Sequence, residues 1–344
     1  MRQLSRVCAL LLAALLLLPA PARAADDGAF ADVPKSHWAY ENIRLAAERG
    51  LVNGMGPKTF GLGQSVTRAQ YAAMLCRLMD WALLSPESGS FSDNQNKDEW
   101  YYSAVETAYA HGALLKLDDT VGANEPLPRE EMAAMTVRAL GFASLAGIVQ
   151  DDCPFADVST NRGYVALAYR MGFMGGVGEA SFSPRTASTR EQAATVLLRV
   201  YDRMRAEIAC LPVESLTAGA AARAEPIVDT SGQTPLCPRA PLEHVYEAAV
   251  RAGAGGAVVL LTQPYLTESK NGAILSDRIV SDEELSVLLA LDSALVSRSA
   301  RYGSSYLLLS EGDDTTAVWY ETEDDIAEKV ALCRMLGVQT VYLE

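Results

Sequence analysis

The chain has 344 residues, 49% of them hydrophobic and 21% charged, with a formal net charge of −14. That balance excludes a disordered polyelectrolyte and leaves room for two or three domains. It also excludes an electrostatic binder of nucleic acid or anionic membrane, because so acidic a chain repels both; an anionic ligand needs a local cluster of arginines.

In chain order, the first element is a secretory signal over residues 1–24. Arg2 and Arg6 form a basic start, Val7 to Leu18 is an unbroken apolar run, and Ala22-Arg23-Ala24 is a small-residue cleavage site. The run is too short to span a bilayer, and no later stretch approaches that length. The expectation is an exported mature chain without a transmembrane segment. Losing Arg2, Arg6 and Arg23 takes its charge from −14 to −17. Cys8 leaves with the signal, and Cys76, Cys153, Cys210, Cys237 and Cys333 remain. Their odd number and wide spacing fit neither a disulfide scaffold nor a zinc site. Cys76 and Cys333 fall on apolar stripes, and Cys210 and Cys237 could pair.

A unit then recurs three times, expected over 28–84, 89–145 and 153–205. It opens at Phe30-Ala31-Asp32, Phe91-Ser92-Asp93 and Phe155-Ala156-Asp157. It closes on a helix start carrying Arg68, Arg129 or Arg190, spaced 61 residues apart each time. A fixed period signals stacked units that cannot bury their apolar faces alone. Each unit reads as helix, long loop, helix. In the first, Ser36 is a candidate N-cap, Tyr40, Ile43 and Ala47 share a face, and Gly50 stops the helix. Thr67 with Gln70 predicts a capping box on the second helix, as does Thr189 with Gln192. Pro128 suits a first helical turn in the middle copy. Arg77, Arg138 and Arg199 share the 61-residue step and are read as solvated or in salt bridges.

These residues resemble the S-layer homology (SLH) family. The carriers are the three Phe-x-Asp openings, Trp38-Ala39-Tyr40, and the boxes at Thr67, Pro128 and Thr189. The resemblance implies an all-α, pseudo-threefold bundle of helix pairs. It also implies binding of secondary cell-wall polysaccharide, anionic or pyruvylated, on the cell surface. An arginine in a first helical turn does not serve the helix itself, and guanidinium can grip a carboxylate bidentately. Arg68, Arg129 and Arg190 are therefore the candidate carboxylate holders, with pairing to an acid of a neighbouring repeat as the plain alternative. Trp38 and Trp100 are candidate sugar platforms or packing residues. Asp32 and Asp93 are candidate ligand contacts or turn formers. Gly54 would let backbone approach a ligand. The middle copy departs from this pattern: it has Leu115 where Gly54 would fall.

Residues 206–240, rich in Ala, Pro, Ser and Thr, read as a linker. Residues 241–344 alternate helices and strands and read as a small α/β domain. Helices are expected from Leu242, from Ser281 through Leu285, Leu288, Leu289 and Leu295, and over Ile326 to Cys333. Strands are expected at Gly256–Thr262, Tyr306–Ser310, Thr316–Glu321 and Val338–Leu343. The last segment resembles the closing strand-helix-strand of chitinase-like glycoside hydrolases. The chain is too short for a full barrel, and no second acid pairs with Glu321 in the sequence. His37, His111 and His244 are scattered, and no nucleotide, metal or nucleophile motif occurs, so no cofactor is expected. The sequence thus points to an anchored binding protein. Two alternatives are a tethered glycoside hydrolase-like enzyme and a surface-layer lattice subunit.

Overall fold

The computed structural model describes residues 30–116, 118–216, 240–271 and 273–344, with the backbone of 222 and 223. The signal expected over 1–24, Cys237 and most of the 206–240 stretch lie outside the described residues.

The helical region holds α1 (Tyr40–Glu48), α2 (Arg68–Leu78), α3 (Tyr102–Ala110), α4 (Arg129–Ala139), α5 (Ala143–Ile148), α6 (Arg162–Arg170) and α7 (Arg190–Met204). The 61-residue period governs how they pair. Each opening helix packs on the second helix of another copy: α1 on α7, α3 on α2, and α6 on α4. The chain just before each second helix ties the copies together. Val66 N donates to Ser188 O (2.9 Å), Ser188 N to Leu127 O (2.8 Å), and Leu127 N to Val66 O (2.9 Å). All three residues are fully buried, where an unpaired peptide group is costly. The result is a closed three-membered ring of backbone hydrogen bonds, which supplies partners where water cannot. In the next register Arg68 N, Arg129 N and Arg190 N donate to Glu125 O, Thr186 O and Gln64 O. Free N–H groups at each helix start are thereby satisfied by the neighbouring copy rather than by solvent.

Local chemistry sets the helix ends. The Thr67 hydroxyl accepts from Gln70 N (3.2 Å) while Gln70 Oε1 accepts from Thr67 N (3.2 Å), the expected capping box. Gln192 Oε1 likewise accepts from Thr189 N (3.1 Å). Gly50, Gly112 and Gly172 all carry positive φ, near +72°, a conformation that ends helices at little cost only in glycine. The Ser36 cap is not used: α1 begins at Tyr40, with Ala39 as its N-cap. His37 N already donates to Pro34 O, and Tyr40 N to His37 O, so a pair of tight turns delays the helix.

The stretch read as linker opens instead with a strand, β1 (Ala209–Pro212), followed by a single turn over Val213–Ser215 and then β2 (Ala222–Arg223). Beyond them come α8 (Leu242–Ala252), β3 (Ala257–Leu260), β4 (Tyr265–Lys270), β5 (Ala273–Ile279), α9 (Asp282–Leu289), β6 (Leu295–Ser299), β7 (Ser304–Glu311), β8 (Asp314–Tyr320), α10 (Glu323–Met335) and β9 (Thr340–Leu343). They build two sheets. The first is parallel, in the order β1-β9-β3-β2. The second is antiparallel, in the order β5-β4-β8-β7-β6. The parallel neighbours β3 and β9 are joined through the whole antiparallel sheet and then α10. Parallel strands need a long crossover, and here the crossover carries a second sheet.

The layout is therefore helical plus α/β, as expected, but the strands β4, β5 and β6 escaped the sequence reading. Leu295 begins β6 and is not on a helix; α9 stops at Leu289. The expected closing strand, helix and strand all form, as β8, α10 and β9, but β8 and β9 belong to different sheets. One hydrophobic core runs through Ile43, Leu75 and Leu197 of the helices into Val245, Val258, Leu332 and Val341 of the parallel sheet and its helices. The antiparallel sheet has its own small core of Leu266, Val280, Leu307 and Val318, lined by Leu285 and Leu288 of α9.

Candidate ligand clefts between the repeats

The loop before each second helix is shaped by the aspartate of its own opening motif. Asp32 accepts from Phe60 N (2.7 Å), Gly61 N (2.7 Å) and Leu62 N (3.1 Å). Asp93 accepts from Val121 N and Gly122 N, both at 2.8 Å. Asp157 accepts from Phe182 N and Ser183 N at 2.8 Å and from Ser181 Oγ at 2.9 Å. Such bonds stabilise a carboxylate. Burial works against Asp32, but the amides of Phe60, Leu62 and Gly61 outweigh it and hold its carboxyl below the usual range. The Phe182 amide first, then those of Ser183 and the Ser181 hydroxyl, does the same for Asp157. Asp32 and Asp93 are thus engaged in forming turns.

The three arginines reach across to the loop of the next copy. Arg190 donates from Nε to Phe60 O and from a terminal nitrogen to Asn53 O, both at 2.8 Å, and is only 3% exposed. Its guanidinium also lies 5.0 Å from the Phe60 ring centre. Arg129 repeats this with Phe182 O (2.9 Å), Gly175 O (2.8 Å) and the Phe182 ring, and is 8% exposed. Arg68 differs. It donates to Val121 O and Gly122 O (2.8 and 2.9 Å) but also grips Glu131 with two nitrogens, at 2.5 and 2.8 Å. Glu131 stands where the other copies have Gln70 and Gln192. Burial depresses the pKa of Arg129 and Arg190, whereas the Glu131 pair raises that of Arg68.

Gly54 is a packing requirement. A Cβ there would stand 2.6 Å from the Phe30 ring and 2.7 Å from Thr59 O. Trp38 and Trp100 are 60% and 59% exposed, so neither is a core residue.

A cleft of about 400 Å³ lies where the first copy meets the second. Arg68 and Arg138 line it, with Asp118, Glu125, Glu130 and Glu131. Arg68 is therefore the one predicted arginine in its wall; Arg129, Arg190, the two tryptophans, Asp32, Asp93 and Gly54 are not among its lining residues. Arg138 was undervalued by its mid-helix position. Its guanidinium stacks on Tyr164 (4.5 Å), and among the described residues its buried Nε has no hydrogen-bond partner and it forms no ion pair. The signal that could have found it was its 61-residue step from Arg77 and Arg199. Glu321 lies elsewhere, its side chain 4% exposed, with Oε2 2.5 Å from Lys329 Nζ.

The class defined by these repeated helix pairs is borne out by comparison. The profile of the S-layer homology domain matches residues 29–72 and 154–194. The chain is 31% identical to an amylopullulanase of Thermoanaerobacterium thermosulfurigenes over 186 residues, which is 52% of this chain and 10% of that one. It is 30% identical to an endoglucanase of Bacillus sp. (strain KSM-635), over 60% of this chain and 22% of the relative. It is 31% identical to a cellulosome-anchoring protein of Acetivibrio thermocellus, over 38% and 30% respectively. The chain thus spans between a tenth and a third of the length of these relatives. Two stretches of the chain thus match the S-layer homology domain, and the chain is a surface protein associated with the cell wall. Among the described residues no helix is long and apolar enough to cross a membrane.

Proposed function

We propose that this chain holds to the cell wall by binding secondary cell-wall polysaccharide through three SLH repeats, 28–84, 89–145 and 153–205, arranged as a pseudo-threefold bundle. The observation that carries the reading is the backbone ring of Val66, Leu127 and Ser188, with the arginine braces around it. These support three related seams between the copies, and a cleft opens at the first. The exposed indoles of Trp38 and Trp100 are flat apolar faces of the kind that stack on sugar rings. At the Arg68 cleft the acids outnumber the arginines and Glu131 already neutralises Arg68. A neutral sugar recognised through its hydroxyls suits this cleft better than a pyruvylated one, with the Arg138 guanidinium in the wall as a donor. The part displayed by this anchor is the α/β part, residues 241–344 together with β1 and β2 from within 206–240.

Cosedimentation of the purified chain with wall sacculi tests this, comparing intact walls with walls stripped of polysaccharide. Stripping should abolish binding. Trp38→Ala, Trp100→Ala and Arg138→Ala should each weaken it by roughly tenfold, the scale of one lost stacking or charged hydrogen-bond contact. Equal binding to stripped walls would remove the polysaccharide from the account.

A further inference from the structure

A second and larger cleft, about 850 Å³, lies where the helical repeats meet the α/β part. Its walls come from the end of α6, the last turns of α7, and the turn between α10 and β9. Three arginines line it: Arg199, Arg203 and Arg334. Among the described residues none of them forms an ion pair. Arg199 donates one bond, to Phe173 O (3.0 Å). The Nε of Arg334 is buried and, among the described residues, has no hydrogen-bond partner. Arg203 lies so close over Gly337 that a Cβ there would stand 2.5 Å from its guanidinium. Two acids share the lining, but Asp202 is engaged outward with Arg49, and Glu207 is exposed.

Three helix C-termini also converge here, those of α6, α7 and α10. Each contributes roughly half a negative charge, which offsets part of the three guanidinium charges but not all. In a chain of net charge −14, three arginines gathered in one cleft without a carboxylate to pair them is an unusual concentration. Guanidinium is also the side chain suited to forked bonding with carboxylate and phosphate oxygens.

We propose that this junctional cleft is an oxyanion site, taking the phosphate or carboxylate group of a sugar-sized ligand. The volume is that of small-molecule sites and far exceeds a lone inorganic ion. Arg203 and Arg334 grip the anionic group from the two sides of the junction, and Arg199 supports it from the middle of α7. The site spans both parts of the chain, so an occupant also stabilises their contact. It does not depend on polysaccharide binding at the inter-repeat clefts, which use other residues.

Calorimetric titration of the purified chain at low ionic strength tests it with glucose 6-phosphate, glucuronate, inorganic phosphate and glucose. Saturable binding of either charged sugar, with none of glucose, is the expected result. Phosphate-only, carboxylate-only or joint binding identifies the source of the oxyanion. Arg203→Gln and Arg334→Gln should each weaken binding by roughly tenfold or more, and Arg203→Lys should restore part of it. Lys270→Ala, on β4 and away from both clefts, should leave it unchanged. Arg203 is only half-buried, so its variants remain folded tests if Arg334→Gln does not fold. No saturable heat with either charged sugar up to roughly 10 mM, or binding that survives both glutamine substitutions, would overturn the proposal. Binding of inorganic phosphate alone would overturn the sugar-sized ligand as well.

Discussion

Arg190 in the helical repeats and Lys329 in the α/β part are both buried cations, yet they are held in opposite ways. Among the described residues Arg190 forms no ion pair; it donates to the backbone carbonyls of Phe60 and Asn53 and to Gln70 Oε1 (3.3 Å). Lys329, 1% exposed, is held by a carboxylate, Glu321, and by Ser304 Oγ at 2.8 Å. Ser304 in turn donates to Glu321 Oε1 (2.8 Å). A guanidinium spreads its charge over a planar fork and can be satisfied by neutral acceptors at several angles. An ammonium is a compact charge that leaves water only beside an anion. The repeats thus use a cation to fasten loops, whereas the α/β part must bury two charges to keep one. Burial pushes the two partners toward neutrality, raising Glu321 and lowering Lys329 despite their attraction.

This contrast can be broken in measurable ways. The largest effect is expected at the ion pair. Lys329→Met strands Glu321 in the interior and should cost about 3–5 kcal/mol, the scale for breaking a buried pair from one side. Lys329→Met combined with Glu321→Leu should recover most of that loss in denaturant unfolding. A double variant as unstable as the single one would show that the loss does not come from the stranded Glu321 carboxylate. Arg190→Ala comes next, at about 3 kcal/mol, because two carbonyls lose charged donors in a buried seam. Arg68→Ala should cost less, about 1–2 kcal/mol, since Glu131 is partly solvated once released. Arg68 is also the seam whose stability should fall with added salt, which screens an ion pair but not a carbonyl contact.

A pH titration sharpens the comparison further. The carboxyls of Asp32 and Asp157 are depressed in the folded chain. Their contribution is complete above the ordinary value of 3.8 and is lost as pH falls through the lower folded values. Asp32→Asn should flatten the acid limb of the stability curve; an unchanged limb would mean the loop is held without the charge. The smallest expected effect is Thr67→Ala, about 1 kcal/mol for a lost N-cap, read as a shift in the unfolding midpoint.

The sequence by itself determined the repeat. Period, capping residues and positive-φ glycines are local properties, so Thr67, Gln70, Gly50, Gly112 and Gly172 could be placed without knowing what they would touch. It also determined the alternation that became the parallel sheet. Tertiary structure alone decided what the repeating arginines do, because a guanidinium near a helix start can serve a ligand, an acid or a loop. The choice rests on which carbonyls stand opposite, and those belong to residues 46 to 137 positions away. It likewise decided that Glu131 diverts Arg68, that Arg138 faces a cleft, and that Arg199, Arg203 and Arg334 gather at one junction. The strands β4, β5 and β6 were hidden for a related reason. The edge strands β5 and β6 are mostly exposed, so they lack the alternation that burial of one face imposes, and only pairing through the chain's long return makes them strands.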